Sequence, residues 1–276
     1  MLTVTPRLYI GVSLKMYFGF VAGRDWFHQV AATSARHPAV VRGDIVLFVV
    51  PTHLQVTSAL DAFRGTAVLV GAQDGAAEDS GAFTGEVSAA ELAEVGVTLV
   101  EVGHAERRDL FGENDQIVAA KTSAILRNGM TPLLCLGEPD GMTPAEASAF
   151  VVAQLNSALD SAPEGRVLVA YEPIWAIGAE GPAPVERVQE VCEALRAALR
   201  GLPGRDGSAV IYGGSARPGV LEAFNGHVDG LFLGRYAHDP DALWTVLDEA
   251  ASVIAAAPPS TVASEAHPDP TTRRTT

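Results

Sequence analysis

Five segments of the chain follow short apolar runs and contain residues that could do chemistry on a small, charged substrate. Lys15 follows the first run, His104 the fourth and Glu172 the sixth. The seventh run is followed by Gly213–Ser215 and the eighth by Gly234–Arg235. A lysine, an imidazole, a carboxylate and two glycine-containing turns would together suit an anion that carries a carbonyl group.

These residue types suit the removal of a proton from a carbon next to a carbonyl group. A carboxylate in a dry pocket, here Glu172, has a raised pKa and can accept a carbon-bound proton. A neutral His104 and the ammonium of Lys15 can polarise the carbonyl and stabilise the enediolate that develops. Backbone N–H groups of the two turns, with helix N-termini behind them, can bind a phosphate dianion. The segment 173–183, with its prolines and glycines, is typical of a lid that would exclude water.

Each of these residues has a simpler interpretation when it is taken alone. A lysine after a strand is usually a solvated loop charge, and a single histidine is more often structural. Glu172 could be only a strand-end residue, and Gly213–Ser215 only a tight turn that opens a helix. His238 could approach the same region just after Arg235. The functional interpretation therefore depends on the joint position of these residues at the ends of five strands.

Eight apolar or β-branched runs predict strands, and most are nearly continuous, as parallel strands are when both faces are covered. The runs are Leu8–Val12, Ile45–Val50, Ala67–Gly71, Thr98–Val102, Thr131–Leu136, Val167–Tyr171, Val210–Tyr212 and Gly230–Leu233. Helical segments alternate with them, and several begin at a capping residue or proline. These segments are Trp26–Arg36, His53–Phe63, Ala89–Val95, Asp115–Arg127, Pro144–Leu159, Val185–Leu199, Pro218–Phe224 and Pro240–Ala256.

This alternation predicts an α/β fold, a single (β/α)8 TIM barrel over residues 1–256. An open doubly wound sheet is the alternative, but it rarely needs eight regular units, and no GxGxxG motif follows the first strand. In a closed barrel the residues after the strands meet at one mouth, where the active site lies. Residues 257–276 are rich in Pro, Ser and Thr without apolar periodicity, which predicts a disordered tail.

The composition argues against several classes of partner. A formal net charge of −14 disfavours nucleic acid and anionic membranes, because both need a basic face. Cys135 and Cys192 lack metal-ligand spacing and favour a reducing, cytoplasmic setting. We find no signal-peptide pattern, and the apolar runs are too short to span a membrane. His28, His37 and His53 lack ligand spacing with carboxylates, so we expect no metal, and no cofactor is needed where the substrate supplies its own carbonyl.

Longer motifs at the same places resemble those of the triosephosphate isomerase family, over essentially all of residues 7–256. The matching strings are Gly81–Ser88, Val102–His104, Glu106–Arg108, Leu136–Glu138, Tyr171–Gly178 and Tyr212–Ser215. The resemblance implies that Glu172 is the catalytic base, His104 the electrophile and Lys15 the substrate-binding lysine.

The resemblance also implies roles around this acid–base set. Glu106 would position the lysine, and Gly178, Ser215 and Gly234 would bind the substrate phosphate. The segment 81–86 matches an arm that inserts into a neighbouring subunit, which implies a homodimer. An exposed surface loop is the alternative, although a Phe within a Gly-rich turn is more typical of an interface.

Several residues depart from the family pattern, and they surround the expected substrate. Ser13 stands where the family has Asn, and Leu14 where it has Trp. Ala105 replaces a Ser and is expected to loosen the resting position of Glu172. Arg235 replaces a Gly, and an Arg there would be a strong donor to a phosphate or hydroxyl group.

The sequence therefore predicts an intramolecular aldose–ketose isomerase that acts on a phosphorylated small sugar by proton transfer through an enediolate. Ser13 and Arg235, as substrate-binding residues, favour a four-carbon ketose phosphate such as erythrulose phosphate. The alternative is an ordinary triosephosphate isomerase that interconverts dihydroxyacetone phosphate and glyceraldehyde 3-phosphate. A non-catalytic phosphate-binding protein is a third interpretation, against which the presence of Glu172 argues. The stereochemistry, the direction of flux and the choice between dimer and tetramer are left open.

Overall fold

A computed structural model describes residues 8–256, so the predicted tail at 257–276 lies outside the described residues. Eight parallel strands close into a barrel in chain order, which confirms the predicted α/β barrel. The strands are β1 (Leu8–Ser13), β2 (Ile45–Val50), β3 (Leu69–Ala72), β4 (Leu99–Val102), β5 (Thr131–Leu136), β6 (Leu168–Tyr171), β7 (Ala209–Tyr212) and β8 (Gly230–Leu233). Because all of them are parallel, their carboxyl ends form a single rim.

Helices surround the barrel and fill the connections between strands. They are α1 (Phe20–Ser34), α2 (Pro38–Val41), α3 (Val56–Ala62), α4 (Ala89–Val95), α5 (Ala105–Phe111), α6 (Asp115–Arg127), α7 (Pro144–Leu159), α8 (Val185–Gly201), α9 (Val220–Phe224) and α10 (Pro240–Ala256). Three short 3-10 turns lie at His53–Gln55, Ile174–Ala176 and Arg235–His238. No helix within residues 8–256 is both long and apolar enough to cross a membrane.

Two of these helices, α2 and α5, were absent from the sequence prediction. α5 buries none of its residues, so it has no apolar stripe for a periodicity argument to detect. α1 begins six residues before the predicted Trp26, after Gly19, which has no side chain to cap the helix. The starts of α4, α6 and α7, each with a capping side chain, were predicted at the correct residue. α7, for example, begins with a full capping box between Thr143 and Glu146.

The barrel interior is a packed core beneath the rim. Its buried side chains are Phe48, Val50, Leu99, Leu133, Cys135, Leu168, Ala170, Ala209, Ile211 and Phe232. The rings of Phe48 and Phe232 stack with centroids 5.8 Å apart. The Phe48 ring occupies the space that a Cβ on Gly11 would need, so this glycine allows the aromatic pair to fill the interior. A second, larger core lies between the strands and the helices.

Candidate active site

A cavity of about 400 Å³ opens at the rim formed by the carboxyl ends of the strands. All nine residues that were predicted to form the site line it, and they are Ser13, Lys15, His104, Glu106, Glu172, Gly178, Ser215, Gly234 and Arg235. The structure therefore brings together side chains from five strand ends, as the barrel prediction required.

Glu172 follows β6 and is almost completely buried, at 5% exposure. Its backbone N–H donates to the carbonyl of Leu136 at 2.8 Å. A Cβ on Gly137 would collide with the carbonyl of Glu172, and a Cβ on Gly213 would collide with its carboxylate. Burial raises the pKa of this carboxyl to about 7, although the ammonium of Lys15 opposes the shift. Near neutral pH the group can therefore both take up and return a proton.

His104 caps the start of α5, and this contact determines which nitrogen carries its proton. Its Nδ1 accepts a hydrogen bond from the backbone N–H of Glu106 at 3.1 Å, so the ring proton of a neutral imidazole lies on Nε2. Burial, together with the charge of Lys15, lowers the pKa of His104 to about 4. Its Nε2 lies 3.5 Å from Oε2 of Glu172. The neutral ring thus presents an N–H donor next to the carboxylate.

Lys15 follows β1 with a left-handed backbone, φ 45°, which is uncommon for a residue with a side chain. The side-chain amide of Gln73 holds this turn by donating to the carbonyls of Lys15, at 3.0 Å, and Val50, at 3.1 Å. The ammonium donates to Oε1 of Glu106 at 2.6 Å. Burial acts to lower the pKa of Lys15, but the hydrogen bond and charge of Glu106 outweigh it, so the pKa is raised. The lysine therefore remains a cation in the cavity.

Ser215 lies in the turn after β7 and joins that turn to the predicted lid. Its backbone is also left-handed, φ 43°, and its hydroxyl lies 2.8 Å from the carbonyl oxygens of both Ala176 and Ala179. The phenol of Tyr212 accepts a hydrogen bond from the backbone N–H of Ala183 at 2.7 Å. Strained backbone that is held in this way is concentrated at functional sites.

Gly178 and Gly234 line the cavity near Ser215 with backbone that carries no side chain. Gly178 has a φ of 72°, and a Cβ on Gly234 would meet no atom within 4 Å. Arg235 is exposed at the start of a 3-10 turn, and its guanidinium carbon lies 5.9 Å from the ring centre of Tyr17. This arrangement places an exposed cation at the edge of the cavity.

A buried carboxylate that the sequence analysis had not assigned a role, Glu138, anchors the first turn of the segment 173–183. Oε1 of Glu138 accepts hydrogen bonds from Tyr171 Oη, Trp175 Nε1 and Arg187 Nη1, each at 3.2 Å. The lid segment is therefore fixed at its start and more exposed towards its middle.

Sequence analysis missed a second carboxylate, Glu101, which lies beneath the cavity on β4. Its Oε2 accepts a hydrogen bond from the hydroxyl of Ser13 at 3.4 Å, and the thiol of Cys135 lies 3.9 Å from its Oε1. Burial, with the charge of Glu172 as a second cause, raises the pKa of Glu101 to about 8. The available signal was a single acidic residue within the otherwise apolar run 98–102.

His238, considered above as a candidate, packs against aromatic rings and is not among the residues that line the cavity. Its ring centre lies 5.4 Å from that of Tyr17 and 4.8 Å from that of Phe18.

Within the part of the chain that the structure describes, no group of three or more His, Cys, Asp or Glu side chains is placed to hold a metal ion.

The site thus combines a buried carboxyl that titrates near neutrality, a neutral imidazole that donates from Nε2, and an ammonium. Together with the two turns, these groups are suited to acid–base proton transfer on a small phosphorylated carbonyl compound. A model of the triosephosphate isomerase family matches residues 8–250. The chain therefore belongs to the triosephosphate isomerase family and has the fold and the acid–base groups of an isomerase.

Within this family the chain is similar to proteins named L-erythrulose-1-phosphate isomerase. The one from Pectobacterium atrosepticum is 46% identical over 248 residues, covering 88% of this chain and 96% of the relative. The one from Mycolicibacterium smegmatis is 37% identical, covering 89% of this chain and 94% of the relative. The one from Rhizobium etli is 36% identical, covering 94% and 98%.

Proposed function

We propose that this chain isomerises a phosphorylated four-carbon ketose, erythrulose phosphate, by proton transfer through an enediolate. The observation that carries the proposal is the arrangement of Glu172, His104 and Lys15 around one cavity in a chain that is 46% identical to a protein named for that substrate. Ser13 and Arg235, which depart from the family pattern, line the same cavity. The short side chain of Ser13 leaves room for a larger substrate, and Arg235 adds a donor for a phosphate or hydroxyl group.

In this mechanism the turns after β7 and β8, together with Gly178, bind the phosphate group. The Nε2–H of His104 and the ammonium of Lys15 donate to the carbonyl oxygen of the substrate. Glu172 removes the proton from the neighbouring carbon, and the electron pair of that C–H bond forms the enediolate. The same carboxylic acid then returns the proton to the former carbonyl carbon. The hydroxyl proton of the neighbouring carbon passes to the former carbonyl oxygen, through His104, which gives its Nε2 proton to one oxygen and takes one back from the other. No cofactor takes part in this sequence, because the substrate itself accepts the electrons.

The position of the phosphate determines which isomer a tetrulose 1-phosphate can form. Its carbonyl lies at C2, and C1 carries the phosphate ester in place of a free hydroxyl, so an enediol can form only between C2 and C3. Protonation of this enediol at C2 moves the carbonyl to C3 and gives another ketose phosphate. For this substrate both isomers would thus be ketoses, whereas the triose phosphate pair is a ketose and an aldose.

Steady-state kinetics on erythrulose 1-phosphate and dihydroxyacetone phosphate, measured in parallel, tests the proposal. We expect kcat/KM for the tetrulose phosphate to exceed that for the triose phosphate by at least about tenfold, the scale on which one carbon changes selectivity. The opposite ratio would favour the ordinary triosephosphate isomerase.

The variant Glu172→Gln separates an enzyme from a phosphate-binding protein without catalysis. It keeps the shape of the side chain but removes the base, so turnover should fall by about 10²–10⁴-fold while inorganic phosphate still binds. Wild-type protein that binds phosphate but turns over neither sugar phosphate would contradict the proposal.

We also propose that the protein is a homodimer in the cytoplasm. The segment 81–86 is exposed throughout, and within it the apolar ring of Phe83 is 45% exposed. Cys135 and Cys192 are both free thiols, as expected in a reducing compartment. Light scattering on the wild type and on Phe83→Asp tests the dimer, because a charge at an apolar contact should shift the mass to that of a monomer. An unchanged dimer mass in the variant would exclude this segment from the interface.

A further inference from the structure

A buried polar pair crosses the barrel directly beneath the cavity. Ser13 is the last residue of β1, and Glu101 lies on β4, where its neighbour in register on β5 is the interior residue Leu133. β1 pairs with β2 and β8, and β4 pairs with β3 and β5, so the two strands are not neighbours in the sheet. The contact between Ser13 Oγ and Glu101 Oε2, at 3.4 Å, therefore spans the barrel interior.

A carboxyl group in this place is costly for the fold. Glu101 is 4% exposed, and its neighbours in the interior include the apolar side chains of Leu99 and Leu133. A polar group in such surroundings costs stability unless its hydrogen bonds are made, and an apolar residue of similar shape would avoid that cost. Its nearest polar partners are the hydroxyl of Ser13 and the thiol of Cys135. Packing of the barrel interior therefore does not explain why a carboxyl group lies here. A contact that this carboxyl makes to a residue lining the cavity would explain it.

Ser13 connects this carboxyl to the substrate. Ser13 lines the cavity, whereas Glu101 lies beneath it and does not. A serine hydroxyl has one proton and two lone pairs, and without a partner it rotates freely. Because the Ser13 hydroxyl donates its proton to Glu101, its lone pairs are free to accept a hydrogen bond from a group bound in the cavity. The high pKa of Glu101, raised by burial to about 8, keeps this partner neutral at neutral pH and so avoids a second negative charge near Glu172.

The proposed reaction leaves one substrate group without an assigned partner. The turns after β7 and β8 bind the phosphate, and His104, Lys15 and Glu172 act on the carbonyl and on the carbon that loses its proton. A tetrulose 1-phosphate has a further hydroxymethyl group beyond that carbon, which a triose phosphate lacks. Its hydroxyl needs an acceptor, and the hydroxyl of Ser13, oriented from below, is a buried acceptor on the cavity wall.

We propose that Glu101 is a positioning residue that orients the Ser13 hydroxyl to accept a hydrogen bond from the terminal hydroxymethyl group of the four-carbon substrate. This inference rests on the proposed function and deepens it, because it names the part of the site that distinguishes four carbons from three. Glu101 acts only through Ser13 and does not contact the reacting atoms.

The test compares Ser13→Ala, Glu101→Leu and Glu101→Gln on erythrulose 1-phosphate and dihydroxyacetone phosphate. Ser13→Ala and Glu101→Leu should each lower kcat/KM for the tetrulose phosphate by about tenfold or more, the effect of one lost hydrogen bond at a site built for it. Their effect on the triose phosphate should be less than about threefold. Glu101→Gln keeps an acceptor oxygen in place and should retain most of the selectivity.

A double variant and a packing control separate orientation from a structural role. Ser13→Ala combined with Glu101→Leu should lose no more selectivity than either single change, because both remove the same interaction. Leu133→Met alters the same interior layer without a polar group, and the substrate ratio should stay unchanged. Thermal unfolding should show Glu101→Leu to be as stable as the wild type or more so. If that variant does not fold, Ser13→Ala and Glu101→Gln still decide the question.

Equal losses on both substrates, additive losses in the double variant, or full selectivity in Ser13→Ala would each overturn the inference while the proposed function stands. A wild-type protein that does not turn over the tetrulose phosphate would overturn the proposed function and the inference together. The two failures are therefore distinguished by the wild-type rate, which is measured first.

Discussion

The two sides of the cavity are built in different ways. Towards β4 and β6, Glu172 and His104 are each 5% exposed, and backbone contacts fix their positions. Towards β7 and β8, Gly178, Ser215 and Gly234 lie in turns that line the cavity, and Gly178 and Arg235 are exposed. Groups with strongly shifted pKa values lie on the buried side, and the groups that we propose to bind the phosphate lie on the exposed side. The difference follows from physics, because burial shifts a pKa, whereas binding a phosphate needs only donors and access.

Among changes that leave the catalytic side chains in place, the largest effect should come from disturbing the buried side through its backbone. In Gly213→Ala the new methyl group would collide with the carboxylate of Glu172, so kcat should fall by about 100-fold through misplacement of the base. Gly19→Ala is the matched control, because a Cβ there meets no atom within 4 Å. Steady-state kinetics on both variants checks this, and a normal kcat in Gly213→Ala would show that the base tolerates displacement.

The pH dependence of kcat/KM tests the buried side of the cavity without a mutation. Glu172 acts as a base only when it is ionised, and burial raises its pKa to about 7, so kcat/KM should fall about tenfold for each pH unit below that value. His104, with a pKa lowered to about 4, stays neutral and adds no change between pH 5 and 9 in this account. The substrate phosphate titrates at about 6, and ³¹P NMR of the free substrate separates its contribution. A rate that is constant down to pH 5 would mean that the carboxyl is not buried in solution.

Glu106→Gln tests the ion pair that holds Lys15 next to the buried side. This substitution removes the charge that holds the ammonium of Lys15. The Glu106 side chain is 51% exposed, so solvent weakens the ion pair. We expect a fall in kcat/KM of about five- to tenfold, shared between kcat and KM. Asp61→Asn, which breaks an exposed pair with Arg64, serves as the control. A loss as large as that in Glu172→Gln would instead indicate that Glu106 takes part in proton transfer.

The smallest effect should come from the exposed side. Arg235→Ala removes a cation at the edge of the cavity, and its charge is partly screened by water. KM should rise about three- to tenfold with little change in kcat, because the interaction holds substrate and transition state equally. Arg24→Ala is the control, because Arg24 is an exposed arginine on α1 that pairs with its neighbour Asp25. A fall in kcat at constant KM would mean that Arg235 acts on the reacting part of the substrate.

The fold and most of the site could be predicted from the sequence because both depend on local patterns. Apolar runs mark the strands, and the closed barrel brings their ends together, so Lys15, His104 and Glu172 met as expected. Glu101 could not be predicted to contact Ser13, because they lie on strands that are not neighbours and 88 residues apart. α5 was missed because it has no buried face, although its first N–H groups determine the proton position on His104. Contacts across the barrel and contacts made by helix capping depend on the three-dimensional arrangement of the chain, which local sequence patterns do not specify.

Proton exchange in D₂O is the most direct test of the central claim that Glu172 moves a proton on a four-carbon ketose phosphate. Wild-type protein and Glu172→Gln are incubated with erythrulose 1-phosphate, with dihydroxyacetone phosphate in a parallel sample, and followed by ¹H NMR. The account predicts that the wild type incorporates deuterium at C3 of the tetrulose phosphate and forms its ketose isomer, while Glu172→Gln does neither. Exchange of the triose phosphate alone, or exchange of the tetrulose phosphate by Glu172→Gln at the wild-type rate, would contradict it.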